Sequence, residues 1–200
     1  QFWSLAATLP QVRAGLTETQ VAGVLERALR DAGSEGYPFA SIVASGPRSA
    51  LPHARAGDRV LRTGDFVLLD FGAIWNGYCS DITRTVVLGS ASEEQRAVYD
   101  VVFEANRRAS GALRVGLQGM AADAVAREYI DARGYGEEFG HSLGHGIGLE
   151  IHEGPRLAKT AEAPLLSGAV VTVEPGIYRP GWGGVRIEDD VLLTDAGPRI

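Results

Sequence analysis

The chain has 200 residues, 45% of them hydrophobic, enough to fill one domain of ordinary size. Its formal charge of -6 and pI near 5.2 argue against a nucleic-acid or anionic-membrane partner. No apolar run approaches the roughly 18 residues of a membrane span, and a single cysteine, Cys79, excludes an internal disulfide and suits a reducing compartment, the cytoplasm.

Residues 1 to 16 are weakly patterned, with a short helix before Pro10 and a turn at Ala14-Gly15. Thr17 followed by Gln20 predicts a capping box, and Val21, Val24, Leu25, Ala28 and Leu29 then form an apolar stripe that Gly33 ends. Three prolines lie between Gly36 and Asp65, so that segment reads as short strand and loop. Ser41 to Ala44 is the predicted strand, and His53 sits in the loop after Pro52.

A patterned stretch follows, Gly64 to Gly89, and it occurs again as Gly168 to Asp195. In each copy apolar β-formers lead to an acid (Asp70, Glu174) and a glycine two places on (Gly72, Gly176). A later glycine (Gly77, Gly184) precedes a second acid by four (Asp81, Glu188). Each copy reads as a β-hairpin, turning at Asn76-Gly77 in the first and across Pro180 to Gly184 in the second. A two-residue turn at Asn76-Gly77 sets Trp75 opposite Tyr78 and Asp70 opposite Thr83, with Asp81 diagonally beside Asp70. The second turn is too irregular for the same derivation.

Between the copies, Ser92 with Gln95 caps a helix running to about Leu113, and a second helix spans Met120 to Ala132, ended by Gly134 and Gly136. HSLGHGIGLEIHEGP, from His141 to Pro155, is too glycine-rich for a helix and reads as strand with close backbone approaches. The fold class is α+β: two similar halves, helices backing a largely antiparallel sheet, hairpins side by side, and no internal domain boundary.

The hairpins offer four carboxylates from strand interiors, where unpaired charge is costly. One such acid is ordinarily an edge residue in water; four at matching places in two copies call for a cation among them. Three of the four histidines cluster as His141, His145 and His152. His141 and His145 share a face by either periodicity, whereas His152 has the opposite strand parity. HSLGH lacks the glutamate of the H-E-x-x-H zinc motif, and the glycines around His145 lack the context of a dinucleotide loop. Carboxylates plus imidazole suit Mn²⁺, Co²⁺, Fe²⁺ or Zn²⁺, and four carboxylates balance two divalent ions better than one, manganese being slightly favoured. Cys79 lacks the positive setting of a reactive thiolate and reads as structural. Arg186 shares the face of Glu188, as a surface salt bridge, as charge balance, or as a site for a substrate carboxylate.

LLDFGAIWNGYCSDITRT, HSLGHGIGLEIHEGP, TVEPGIY and GVRIEDD together resemble the pita-bread metallopeptidases, and within them the Xaa-Pro peptidases, aminopeptidase P and prolidase. The resemblance runs from about Gly15 to the end. It implies a pseudo-symmetric α+β fold around two divalent metal ions, held by Asp70, Asp81, His145, Glu174 and Glu188, with Asp81 and Glu188 bridging. It implies hydrolysis of the bond between an N-terminal residue and proline by a metal-bridging hydroxide, with Glu174 moving the proton. His53 and His152 would act on the tetrahedral intermediate and leaving group, while His53, His141, His152 and Arg186 would contact the substrate.

Residues 1–200 are therefore expected to form a single catalytic domain, without the N-terminal domain usual in that branch, which contributes to pocket and dimer; a homodimer is compatible. The expected partner is a proline-containing di- or oligopeptide. Methionine aminopeptidase shares the fold and ligands, but Arg186 stands where that group is expected to carry glutamine. Creatinase-like hydrolysis of a small guanidino acid fits less well. A non-catalytic binding module of this fold would be expected to have lost ligands, and all five are present.

Overall fold

Two helices and a three-stranded sheet form the first half of the computed structural model, which describes residues 2–200. Helix α1 (Phe2–Thr8) packs on α2 (Glu18–Asp31). The capping box at Thr17 is formed: Gln20 N–H donates to Thr17 Oγ1 at 3.1 Å, and Thr17 N–H donates to Gln20 Oε1 at 2.8 Å. Val21, Leu25 and Leu29 are buried by the apolar face this cap aligns, each contributing about 1.5–3 kcal/mol. Strand β1 (Ile42–Ser45) pairs with β2 (Phe66–Trp75), and β2 pairs with β3 (Tyr78–Val87), all antiparallel.

The first hairpin has the predicted register, with Trp75 opposite Tyr78, Asp70 opposite Thr83 and Gly72 opposite Asp81. Asn76 and Gly77 both take positive φ, 50° and 79°, the turn whose twist suits the flanking strands. A methyl group on Gly72 would meet the Ser80 carbonyl oxygen at 2.4 Å, so only glycine lets the strands close beside the acids.

The second half repeats this plan with more chain. Helix α3 (Glu93–Ala112) opens with the predicted Ser92–Gln95 capping box, and α4 (Gly119–Asp131) follows. Strand β4 (Gly144–Gly146) sits between β5 (Glu153–Leu157) and β6 (Val170–Val173), and β6 pairs with β9 (Asp189–Thr194), which β10 (Gly197–Arg199) flanks. The order β4-β6-β9 thus mirrors β1-β2-β3. The echo extends to the helix starts, where Thr17 bridges Val60 in one half and Gln118 bridges Pro164 in the other. Each half has its own apolar core, one around α2 and one around α3 and α4.

Three expectations need correction. The single sheet is two sheets and a separate two-stranded ribbon, β7 (Gly176–Arg179) with β8 (Gly183–Arg186). The second hairpin is accordingly broken: β6 pairs with β9, then β7 with β8, leaving Glu174-Pro175 and Ile187-Glu188 outside strands. Proline brings no N–H to a ladder, and the break at Pro175 frees both acids from strand geometry. The glycine-rich segment is strand only over β4 and β5, and the chain bends through residues 147–152 between them. The close approaches are real, since a Cβ on Gly144 would lie 2.0 Å from the Thr172 carbonyl oxygen.

The two hairpins lie side by side. Glu188 N–H donates to the Thr83 carbonyl at 3.1 Å, and Thr85 Oγ1 both accepts from Arg186 N–H and donates to the Arg186 carbonyl. No helix among the described residues is long and apolar enough to cross a membrane.

Candidate metal centre

Where the hairpins abut, β2 and β3 deliver Asp70 and Asp81, the two breaks deliver Glu174 and Glu188, and β4 delivers His145. Oxygen atoms of Asp81 and Glu188 and a ring nitrogen of His145 all lie within 4.8 Å of one another. His145 Nε2 is 3.6 Å from Glu174 Oε1 and 4.0 Å from Asp81 Oδ2. Asp81, His145, Glu174 and Glu188 thus lie together, and Asp70 is near enough that its charge acts on Asp81, Glu174 and Glu188.

The imidazole is oriented for ligation. His145 Nδ1 lies 2.9 Å from the Gly146 carbonyl oxygen, which can only accept, so Nδ1 carries the proton. Nε2 then presents a lone pair to the acids. Burial first, and the neighbouring His152, hold the ring below its ordinary pKa and keep it neutral.

The carboxylates are crowded. Burial and then Asp70, Glu174 and Asp190 push Asp81 well above its usual range. Burial and then Asp81, Glu174 and Asp70 do the same to Glu188. Burial lifts Glu174 to about 8, against the opposing pull of Arg186 and of a 3.4 Å hydrogen bond from Thr172 Oγ1. Asp70 Oδ1 and Asp81 Oδ1 are buried without a hydrogen-bond partner among the described residues. Orphaned anionic oxygens beside a neutral imidazole lone pair are what divalent cations satisfy, so the donor set fits metal ions.

One protein cation is already present. Arg186 is 3% exposed and donates to Asp70, to Thr83 Oγ1 at 3.1 Å, to the Tyr178 hydroxyl at 2.8 Å and to the Pro52 carbonyl at 3.3 Å. The surface salt bridge allowed by sequence is thereby excluded. Thr83 passes the linkage on, donating to Glu188 Oε2 at 2.6 Å.

The remaining histidines surround the centre unequally. The His152 ring stands edge-on to His145 with centroids 4.3 Å apart, because the bend between β4 and β5 overrides the opposite parity read from sequence. His141 Nδ1 donates to the Ser142 carbonyl at 2.7 Å, and burial depresses this ring to about 4, leaving Nε2 to accept from the Tyr178 hydroxyl at 2.8 Å. His53 is exposed on the loop between β1 and β2.

Sequence reading passed over several partners. Tyr178 lies inside the quoted TVEPGIY, yet nothing in its spacing reveals that it meets both Arg186 and His141. Asp190, whose Oδ2 accepts from Asp81 N–H at 3.1 Å, looks like a second solvent acid after Asp189. Thr172 Oγ1 accepts from His145 N–H at 3.1 Å and holds Glu174, but reads as an ordinary strand threonine.

The model of metallopeptidase family M24 matches residues 4–195. The chain is 48% identical over 196 residues to the Xaa-Pro dipeptidase of Pyrococcus furiosus, covering 98% of this chain and 56% of that protein. Among solved structures, an Xaa-Pro dipeptidase from Bacillus anthracis superposes with TM-score 0.96 at 52% identity, covering 98% of this chain and 55% of that one. An X-Pro aminopeptidase from Thermotoga maritima gives 0.96 at 50%, with the same two coverages. The chain thus spans about half the length of the relatives it matches. Its two-halved architecture is the pita-bread fold. Family model and fold agree, and the chain belongs to metallopeptidase family M24.

Proposed function

We propose that this chain hydrolyses the peptide bond between an N-terminal residue and proline, using two divalent metal ions, preferably Mn²⁺, held by Asp70, Asp81, His145, Glu174 and Glu188. The observation that carries the reading is the cluster of Asp81, His145, Glu174 and Glu188, with buried, unpartnered carboxylate oxygens on Asp81 and on nearby Asp70. Bound divalent ions would supply Lewis acidity, polarising the scissile carbonyl and lowering the pKa of water.

The chain's own residues do the rest. Glu174 Oε1 is the proton carrier: an ionised carboxylate beside the bound ions can take the attacking water's proton and return it to the leaving prolyl nitrogen. Thr172 holds that carboxyl toward the centre. His152, beside His145, and His53, on the outer loop, would donate hydrogen bonds to the developing oxyanion and the leaving group. His141, fixed through Tyr178, would contact the substrate. Arg186 donates to Asp70 Oδ2 and so fixes the orientation of that carboxylate at the centre. Proline lacks the N–H that most peptidases grip, so a site built around carbonyl activation suits it. The single free thiol, Cys79, supports a reducing, cytoplasmic setting.

The relatives named above include both a dipeptidase and an aminopeptidase, so the test spans both. The chelator-stripped protein is supplied with manganese, cobalt or zinc and offered Xaa-Pro, Xaa-Pro-Xaa, longer peptides and Met-Ala-Ser. Metal-dependent cleavage confined to the prolyl peptides supports the reading. Cleavage of Met-Ala-Ser alone, or no metal dependence, defeats it.

A further inference from the structure

The loop Phe139–Leu143 has almost no regular structure, yet it carries His141 and leads directly into the ligand strand β4. Its backbone is gripped from one side by a single ion pair on α4. Arg127 donates to both oxygens of Asp123, at 2.7 and 2.9 Å, and the pair is largely buried. The same guanidinium donates to the Phe139 carbonyl at 3.0 Å and to the His141 carbonyl at 2.7 Å. Asp123 Oδ1 accepts from Leu143 N–H at 3.0 Å. Three backbone groups, at residues 139, 141 and 143, thus close on one pair of side chains.

The grip extends to the imidazole. The Arg127 guanidinium lies over the Phe139 ring, 4.2 Å from its centroid, and Phe139 meets the His141 ring edge-on at 5.1 Å. Beyond the loop, the Leu143 carbonyl accepts from Glu174 N–H at 2.8 Å. Only a planar guanidinium can serve a carboxylate and two carbonyls while stacking on a ring; an ammonium cannot.

We propose that Asp123 and Arg127 are positioning residues that fix His141 for substrate binding. The proposal rests on the Xaa-Pro reading for the identity of the substrate, but the placement of His141 does not. Neither side chain reaches the metal ligands' side chains. Loosening Arg127 displaces a substrate contact, while the Asp123–Leu143 N–H bond still anchors the strand that carries His145.

The test is Arg127→Lys in the intact protein, which keeps the charge and loses the fork. KM for Xaa-Pro should rise about tenfold, with kcat altered less than about twofold and manganese affinity unchanged. His141→Ala and the double variant should show the same KM, since the effect runs through one imidazole. If the two substitutions multiply, or KM stays put, the proposal is overturned. Should Arg127→Lys not fold, Asp123→Asn weakens the pair while keeping an oxygen for Leu143 N–H. A readout without substrate separates this idea from the catalytic one. The ring NMR signals of His141 should shift and broaden in the variant while those of His53 do not. If no prolyl peptide is cleaved by the unaltered protein, the proposed function fails, and unchanged His141 signals would then overturn the clamp as well.

Discussion

Thr83 Oγ1 donates to Glu188 Oε2 at 2.6 Å and accepts from Arg186 Nε at 3.1 Å, so one hydroxyl from the first hairpin aims an acid and steadies a cation from the second. Partners of this kind orient ligands and raise metal affinity. Thr83→Val keeps the shape and removes both bonds. It should weaken manganese binding by about 10–100-fold, as measured by calorimetric titration.

Arg186 is the buried countercharge to Asp70. Removing one partner of a buried pair leaves the other uncompensated. Arg186→Met should therefore destabilise the metal-free fold by about 3–5 kcal/mol in urea unfolding. Saturating manganese should restore part of the loss by supplying the missing positive charge.

The metal-free protein should lose stability as pH rises through the neutral range. Glu174 titrates near 8 in the fold and at its ordinary 4.5 when unfolded, so between these values the folded state holds a proton that the unfolded state has released. Stability then falls with increasing pH. Asp81, Glu188 and Asp190, all raised, act in the same direction. His141, pushed down to about 4, opposes them until its ordinary 6.5, so the cleanest window is from about 6.5 to about 8. Urea midpoints across that window should decline for the stripped protein. With manganese the trend should flatten or reverse, because ions compete with protons for the same oxygens.

Much of this centre was readable because strands have a strict period. Asp70, Asp81 and Thr83 follow from the Asn76-Gly77 turn by counting alone, and Glu174 and Glu188 follow by the internal echo. Capping boxes at Thr17 and Ser92 were equally plain, being local chemistry. What escaped is what depends on chain separation. The break at Pro175 splits the second hairpin, and the bend after β4 carries His152 against His145, contrary to its parity. Spacing left three roles open for Arg186, because its partners Asp70, Thr83, Tyr178 and Pro52 lie elsewhere in the sequence. Spacing rules describe neighbours within an element; they say nothing of two elements packed face to face.

Glu174 is assigned two duties, ligand and proton carrier. Glu174→Gln keeps an oxygen donor but cannot take a proton, so kcat should drop by about 10²–10⁴-fold. Undiminished turnover would remove Glu174 from the proton path.

The central claim is that five side chains from two hairpins and β4 form one two-ion centre. Calorimetric titration of Mn²⁺ into the chelator-stripped protein, beside its Glu188→Ala variant, tests this directly. The account predicts two ions bound per chain, with both lost or severely weakened together when Glu188 is removed. Two ions bound undisturbed in the variant, or none in the unaltered chain, would contradict it.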